Sequence, residues 1–129
     1  MQSLNNVGAL AGRILMALIF VLAGLRKFTH LAATVAMMEK MAGMSTMVYP
    51  QALAAAIIEL GGGLLLMMGF HTRAVALILF LFLIPVTFLF HIIPGGPINQ
   101  VNTMKNLAIM GGLLIVATQG GGGLSIDNR

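Results

Sequence analysis

Four apolar stretches, three close to the length of a bilayer crossing and the fourth only some 15 residues, dominate this chain and restrict what it can become. The first runs from about Val7 to Leu25 and stops at Arg26-Lys27; the second runs from Gln51 to Phe70. The third runs from Arg73 to Ile93, closed by Pro94-Gly95-Gly96-Pro97, and the fourth from Met104 to about Thr118. One helical span takes about 20 residues, so four take about 80 and leave no room for a separate soluble domain. Charge agrees: 8% of the residues are charged and 59% are hydrophobic, whereas soluble domains carry roughly a quarter charged. The expected fold is all-α, a bundle of four transmembrane helices forming a single domain over residues 1–129, with the lipid bilayer as its first partner. The absence of cysteine excludes disulfides, thiolate metal sites, iron–sulfur ligation and cysteine nucleophiles. The net charge of +4 is scattered, so nothing points to nucleic acid.

The first stretch is read as a retained anchor: no Lys or Arg precedes Arg13, and no small-residue cleavage site follows the apolar run. The second begins just after Pro50, which suits a helix start. Only His71 and Thr72 separate the second from the third, which makes them an antiparallel hairpin. The stretch from Thr29 to Tyr49 differs in kind. It carries Met37, Met38, Met41, Met44 and Met47 beside Glu39 and Lys40, and reads as a short amphipathic helix broken near Gly43. Both termini then share one side of the membrane and the two long loops the other. Arg26, Lys27, Lys40 and Lys105 on the loop side against Arg13, Arg73 and Arg129 on the terminal side leave the orientation undecided by charge. Spacings of 17 from Arg13 to His30 and 18 from Arg73 to His91, with Gly-Gly-Leu-Leu at 62–65 and 111–114, hint at a duplicated two-helix unit.

Polar groups inside a span need partners. Counting depth at about 1.5 Å per residue brings Lys27, Glu59, His91, Lys105 and Asn106 into the loop-side half of the bundle. Ala52, Ala55, Ala56, Glu59 and Gly63 share a face of the second span, as do Lys105, Ala108 and Gly112 of the fourth. Small residues permit close helix approach, so Glu59 and Lys105 are expected to point inward and pair.

Gly12-Arg13, Gly24-x-x-Lys27, Glu59-Leu-Gly-Gly-Gly-Leu, Gly69-Phe-x-Thr-Arg73, Phe90-His91, Lys105-Asn106-Leu-Ala with Gly111-Gly112, and the ending Leu124-Ser-Ile-Asp127 together resemble the DoxX family over nearly the whole chain. The resemblance implies a compact four-helix protein of the bacterial inner membrane with both termini cytoplasmic. It also implies an association with quinone-linked redox chemistry or quinone stress, alongside a membrane oxidoreductase partner subunit.

Each candidate has a sharp and a plain reading. Glu59 with Lys105 is either a proton-handling, quinone-binding pair or a buried ion pair that fixes helix register. His91, with Thr87 on its face, either donates to a quinone oxygen or caps carbonyls before Pro94. Arg13 and Arg73 either bind lipid phosphate or an anionic substrate, or anchor the helices by snorkelling. The methionines suit Cu(I) by softness but read as an adaptable apolar face, and a bis-His haem finds only His30 to face His91. Gly61 to Gly63 serve close packing and Gly120 to Gly123 a flexible exit, since no Gly-Lys-Ser/Thr follows either. The residues that carry any chemistry are thus Glu59, His91 and Lys105 as reacting groups, with Arg13, Lys27, Thr87 and Asn106 around a ligand. No intrinsic cofactor or metal is expected; a quinone or a partner subunit brings the redox group. The alternatives are a non-catalytic scaffold, a small-solute transporter, or a homo-oligomer with transport activity.

Overall fold

A computed structural model describes residues 2–42, 48–88, 92 and 95–127. Among them are five helices: α1 (Gln2–Thr29), α2 (Leu31–Ala42), α3 (Val48–Met68), α4 (Thr72–Thr87) and α5 (Pro97–Gln119). α1, the stretch Gln51–Met68 of α3, and α5 are long and apolar enough to cross a membrane; α4 is equally apolar but shorter over its described residues. The chain is a helical protein embedded in lipid.

α1 begins five residues before the sequence suggests, and its first three turns are mostly exposed. α3 takes Pro50 into its first turn, where the missing N–H is one that has no intrahelical acceptor. α5 starts seven residues earlier than expected, at Pro97. Its polar first turns remain helical because Asn99 donates to the Gly95 carbonyl at 2.8 Å and Thr103 to the Asn99 carbonyl at 2.8 Å. α2 follows α1 with a nearly continuous backbone ladder, His30 donating to Arg26 and Thr34 to His30. Of the methionine run, Met37 is exposed, while Met44 and Met47 lie outside the described residues.

α1 packs chiefly on α3, and α4 on α5. Glycine sets the first contact: a methyl group at Gly24 would stand 2.5 Å from the Leu60 nitrogen, and one at Gly63 would stand 2.9 Å from that of Val21. The face predicted for the second span is the buried one, with Ala52, Ala55, Ala56 and Glu59 all inside. Ala17, Phe20, Leu66, Val75, Ala76, Leu79, Leu83 and Leu113 form the apolar centre. α1 meets α5 sparsely, through Met16 against Gly112. Polar groups gather above and below this centre.

Candidate functional site

On the terminal side, Arg13 is 2% exposed and donates to four carbonyls. Its Nη1 reaches Leu66 and Met67 at 2.9 Å each, Nε reaches Gly121 at 3.0 Å, and Nη2 reaches Leu124 at 2.6 Å. It is therefore neither a snorkelling anchor nor open to a lipid phosphate. The first two acceptors lie in the last turn of α3, whose carbonyls have no partners within the helix; Leu66 also accepts the Gly69 N–H at 3.1 Å. The tail beyond α5 completes the accounting: Ile126 donates to Met68 at 3.1 Å and Asp127 to Gly69 at 2.9 Å. The Asp127 carboxylate then accepts from the His71 and Thr72 N–H groups at 2.9 and 2.6 Å, capping α4 from the far end of the chain. Those bonds, with the Thr72 N–H foremost and the buried Thr72 hydroxyl close by, hold the carboxyl down at about 2. His71 supplies no cap of its own; it turns the chain with φ 48. The glycine run after α5 is not a loose exit. Gly121 packs on Thr72, Gly122 on Ala9 and Gly123 on Asn6, whose side-chain oxygen accepts the Gly123 N–H at 3.3 Å.

On the loop side, Lys27 Nζ contacts both oxygens of Glu59, at 2.9 and 3.0 Å. The expected partner was Lys105. Gly24 lies level with Leu60 on the antiparallel α3, so Lys27 stands about 3 Å, roughly half a turn, above Glu59, and side chains on α1 tilt back toward its N-terminus. Lys27 is thereby aimed down at the carboxylate. Glu59 is 7% exposed and Lys27 24%. Lys105 is exposed rather than turned inward, and it makes no hydrogen bond or ion pair among the described residues. Its neighbour Asn106 is the buried one and donates to the Thr87 hydroxyl at 3.0 Å, tying α5 to α4.

These groups edge one cleft of about 140 Å³. α1 lines it with Ile19, Phe20, Ala23 and Lys27, α3 with Glu59, α4 with Leu83 and Val86, and α5 with Lys105, Asn106 and Ile109. The cleft occupies the space above the sparse Met16–Gly112 contact, where α1 and α5 leave room between them. Four of the seven predicted residues thus share one site, and Thr87 adjoins it through Asn106. Arg13 belongs to the opposite end, and His91 lies outside the described residues. Chemically, the cleft offers apolar walls, a neutralised acid–base pair and the Lys105 ammonium, which has no partner among the described residues. What sequence reasoning missed is the tail with its Asp127 cap; the one available signal was the resemblance of Leu124-Ser-Ile-Asp127 to a family motif.

Comparison with known proteins adds the relatives. The DoxX family model matches residues 8–92. The chain is 41% identical over 127 residues to the inner membrane protein YqjF of Escherichia coli, covering 98% of this chain and 95% of that protein. It is 30% identical over 126 residues to the inner membrane protein YphA of the same organism, covering 93% and 88%. No solved structure matches. With the family model spanning the first helices through α4 and a full-length relative at 41% identity, the chain belongs to the DoxX family.

Proposed function

We propose that this protein sits in a bacterial inner membrane with both termini cytoplasmic and takes part in quinone-linked redox chemistry, binding a quinone ring in the cleft beside Lys27 and Glu59. The cleft itself carries the reading. Its volume of about 140 Å³ is close to the ~150 Å³ of an apolar cavity that holds a benzene ring, and its lining is mostly apolar, as a lipid-dissolved ring requires. Ile19, Phe20, Leu83, Val86 and Ile109 would hold the ring, while Lys105 and Asn106 offer donors to its carbonyl oxygens. Conversion to quinol needs two electrons and two protons. The electrons come from a partner subunit with its own redox group, because this chain has no cysteine and no haem or flavin motif. Glu59 and Lys27, sharing a proton-bearing pair at 2.9 Å beside the ring, are the groups placed to hand protons on. The inner-membrane location rests on the names of the two relatives.

The test is ring binding. Protein in nanodiscs should retain a short-tail benzoquinone, read by its absorbance change on reduction, and Ala23→Phe, which fills the cleft, should abolish retention. No retention by the wild type, or equal retention by Ala23→Phe, overturns the reading and leaves scaffold or transporter.

A further inference from the structure

The cleft is not electrically balanced. Three of its lining side chains are ionisable, Lys27 from α1, Glu59 from α3 and Lys105 from α5, while α4 contributes the apolar Leu83 and Val86 and no titratable group among the described residues. Lys27 and Glu59 neutralise each other at 2.9 Å. Lys105 is left over. It stands eight residues into α5, about 12 Å along the helix from Pro97, without an ion pair among the described residues. A cation this far along an apolar helix either snorkels to water or meets an anion.

We propose that Lys105 is the anion subsite of this cleft, and that the ligand it takes is a single-ring phenol held as its phenolate, the oxygen on Nζ and the ring among Ile19, Phe20, Leu83, Val86 and Ile109. The inference rests on the reading of the cleft as a ring site and adds the charge of the bound form. A neutral carbonyl would receive only a hydrogen bond from the ammonium, whereas a phenolate adds a charge-assisted bond and brings the cleft to zero net charge. Asn106 keeps a second N–H beyond the one given to Thr87, so a charged oxygen there can accept from two side chains. The cavity volume selects a ring; a fatty carboxylate would match the charge without the shape.

The probe is 4-nitrophenol, whose visible absorbance separates phenol from phenolate, titrated with protein in nanodiscs of zwitterionic phosphatidylcholine. Bound probe should ionise about one pH unit lower than with empty nanodiscs, a tenfold preference for the anion. Lys105→Gln should remove the shift and Lys105→Arg should keep it. An unshifted probe with the wild type, or a full shift with Lys105→Gln, overturns the assignment. Displacement of the probe by octanoate as readily as by unsubstituted phenol overturns the ring selection. A melting temperature for Lys105→Gln equal to that of the wild type, read by circular dichroism, shows that the variant is folded, and short-tail benzoquinone is titrated with the wild type in parallel. If the wild type binds that quinone yet leaves the nitrophenol unshifted, the anion subsite falls and the ring site stands; if it binds neither, both fall.

Discussion

Lys27 and Glu59, on different helices and 32 residues apart, meet with the ammonium 2.9 and 3.0 Å from the two carboxylate oxygens. The pair is unequal in burial, Glu59 at 7% exposed and Lys27 at 24%. Removing the lysine strands a buried carboxylate, while neutralising the acid strands a lysine that can still reach water. Lys27→Met should therefore destabilise by about 3 kcal/mol and Glu59→Gln by only about 1 kcal/mol. The double variant Lys27→Met/Glu59→Gln should be more stable than Lys27→Met alone. Thermal unfolding in detergent reads all three, and strictly additive losses would show that the two side chains are not coupled.

Arg13 makes a second knot at the other end of the bundle. Its four acceptors are carbonyls of α3 and the tail, so its replacement uncaps a helix and releases a segment together. A hydrogen bond from a charged donor contributes roughly 1.5–3 kcal/mol, so Arg13→Ala should lose at least ~3 kcal/mol. Arg13→Lys should recover little, because one ammonium cannot span acceptors that a planar fork reaches in three directions. Truncation after Gln119 should produce a similar loss, and combining it with Arg13→Ala should add little more. Independent, additive losses would mean that the tail and Arg13 stabilise different things.

The two knots differ in how far they were legible. Helix number and type follow from apolar runs, which are local, and the buried Ala52/Ala55/Ala56/Glu59 face follows from helical period. The start of α5 was misplaced because Asn99 and Thr103 look like loop residues until their side chains fold back on the backbone. Glu59 was identified, yet its partner was not: Lys27 and Lys105 lie at similar apparent depth, and the close α1–α3 approach at Gly24 and Gly63 brings Lys27 to the carboxylate. Arg13 was misread because its partners are carbonyls, which every residue has and no residue type announces. Glycines 120 to 123 looked loose for the same reason, as their value lies in what they let approach.

Asp127 gives a pH signature. Its carboxyl is held at about 2 by the His71 and Thr72 N–H groups, below the ~3.9 of an unfolded chain. A group depressed on folding stabilises fully above its unfolded value and loses that contribution as pH falls through its folded one. Asp127→Asn should lower the melting temperature by a constant amount from pH 7 to pH 5. The gap should narrow from about pH 4 and close toward pH 2. A gap independent of pH over the whole range would assign the effect to side-chain shape instead of charge.

Glycine packing allows a controlled comparison across three helices. A methyl group at Gly24 would stand 2.5 Å from the Leu60 nitrogen and 2.8 Å from its Cα, where rigid backbone must move, whereas one at Gly61 or Gly111 would meet nothing within 4 Å. Gly24→Ala should therefore cost about 1–3 kcal/mol by forcing α1 away from α3. It should also loosen the Lys27–Glu59 pair, since that contact sets the register between them. Gly61→Ala and Gly111→Ala should be neutral, or stabilising by up to about 1 kcal/mol through helix propensity alone. Equal effects at all three positions, in the same unfolding assay, would show that the α1–α3 approach is not set by glycine and that the register of the ion pair must have another origin.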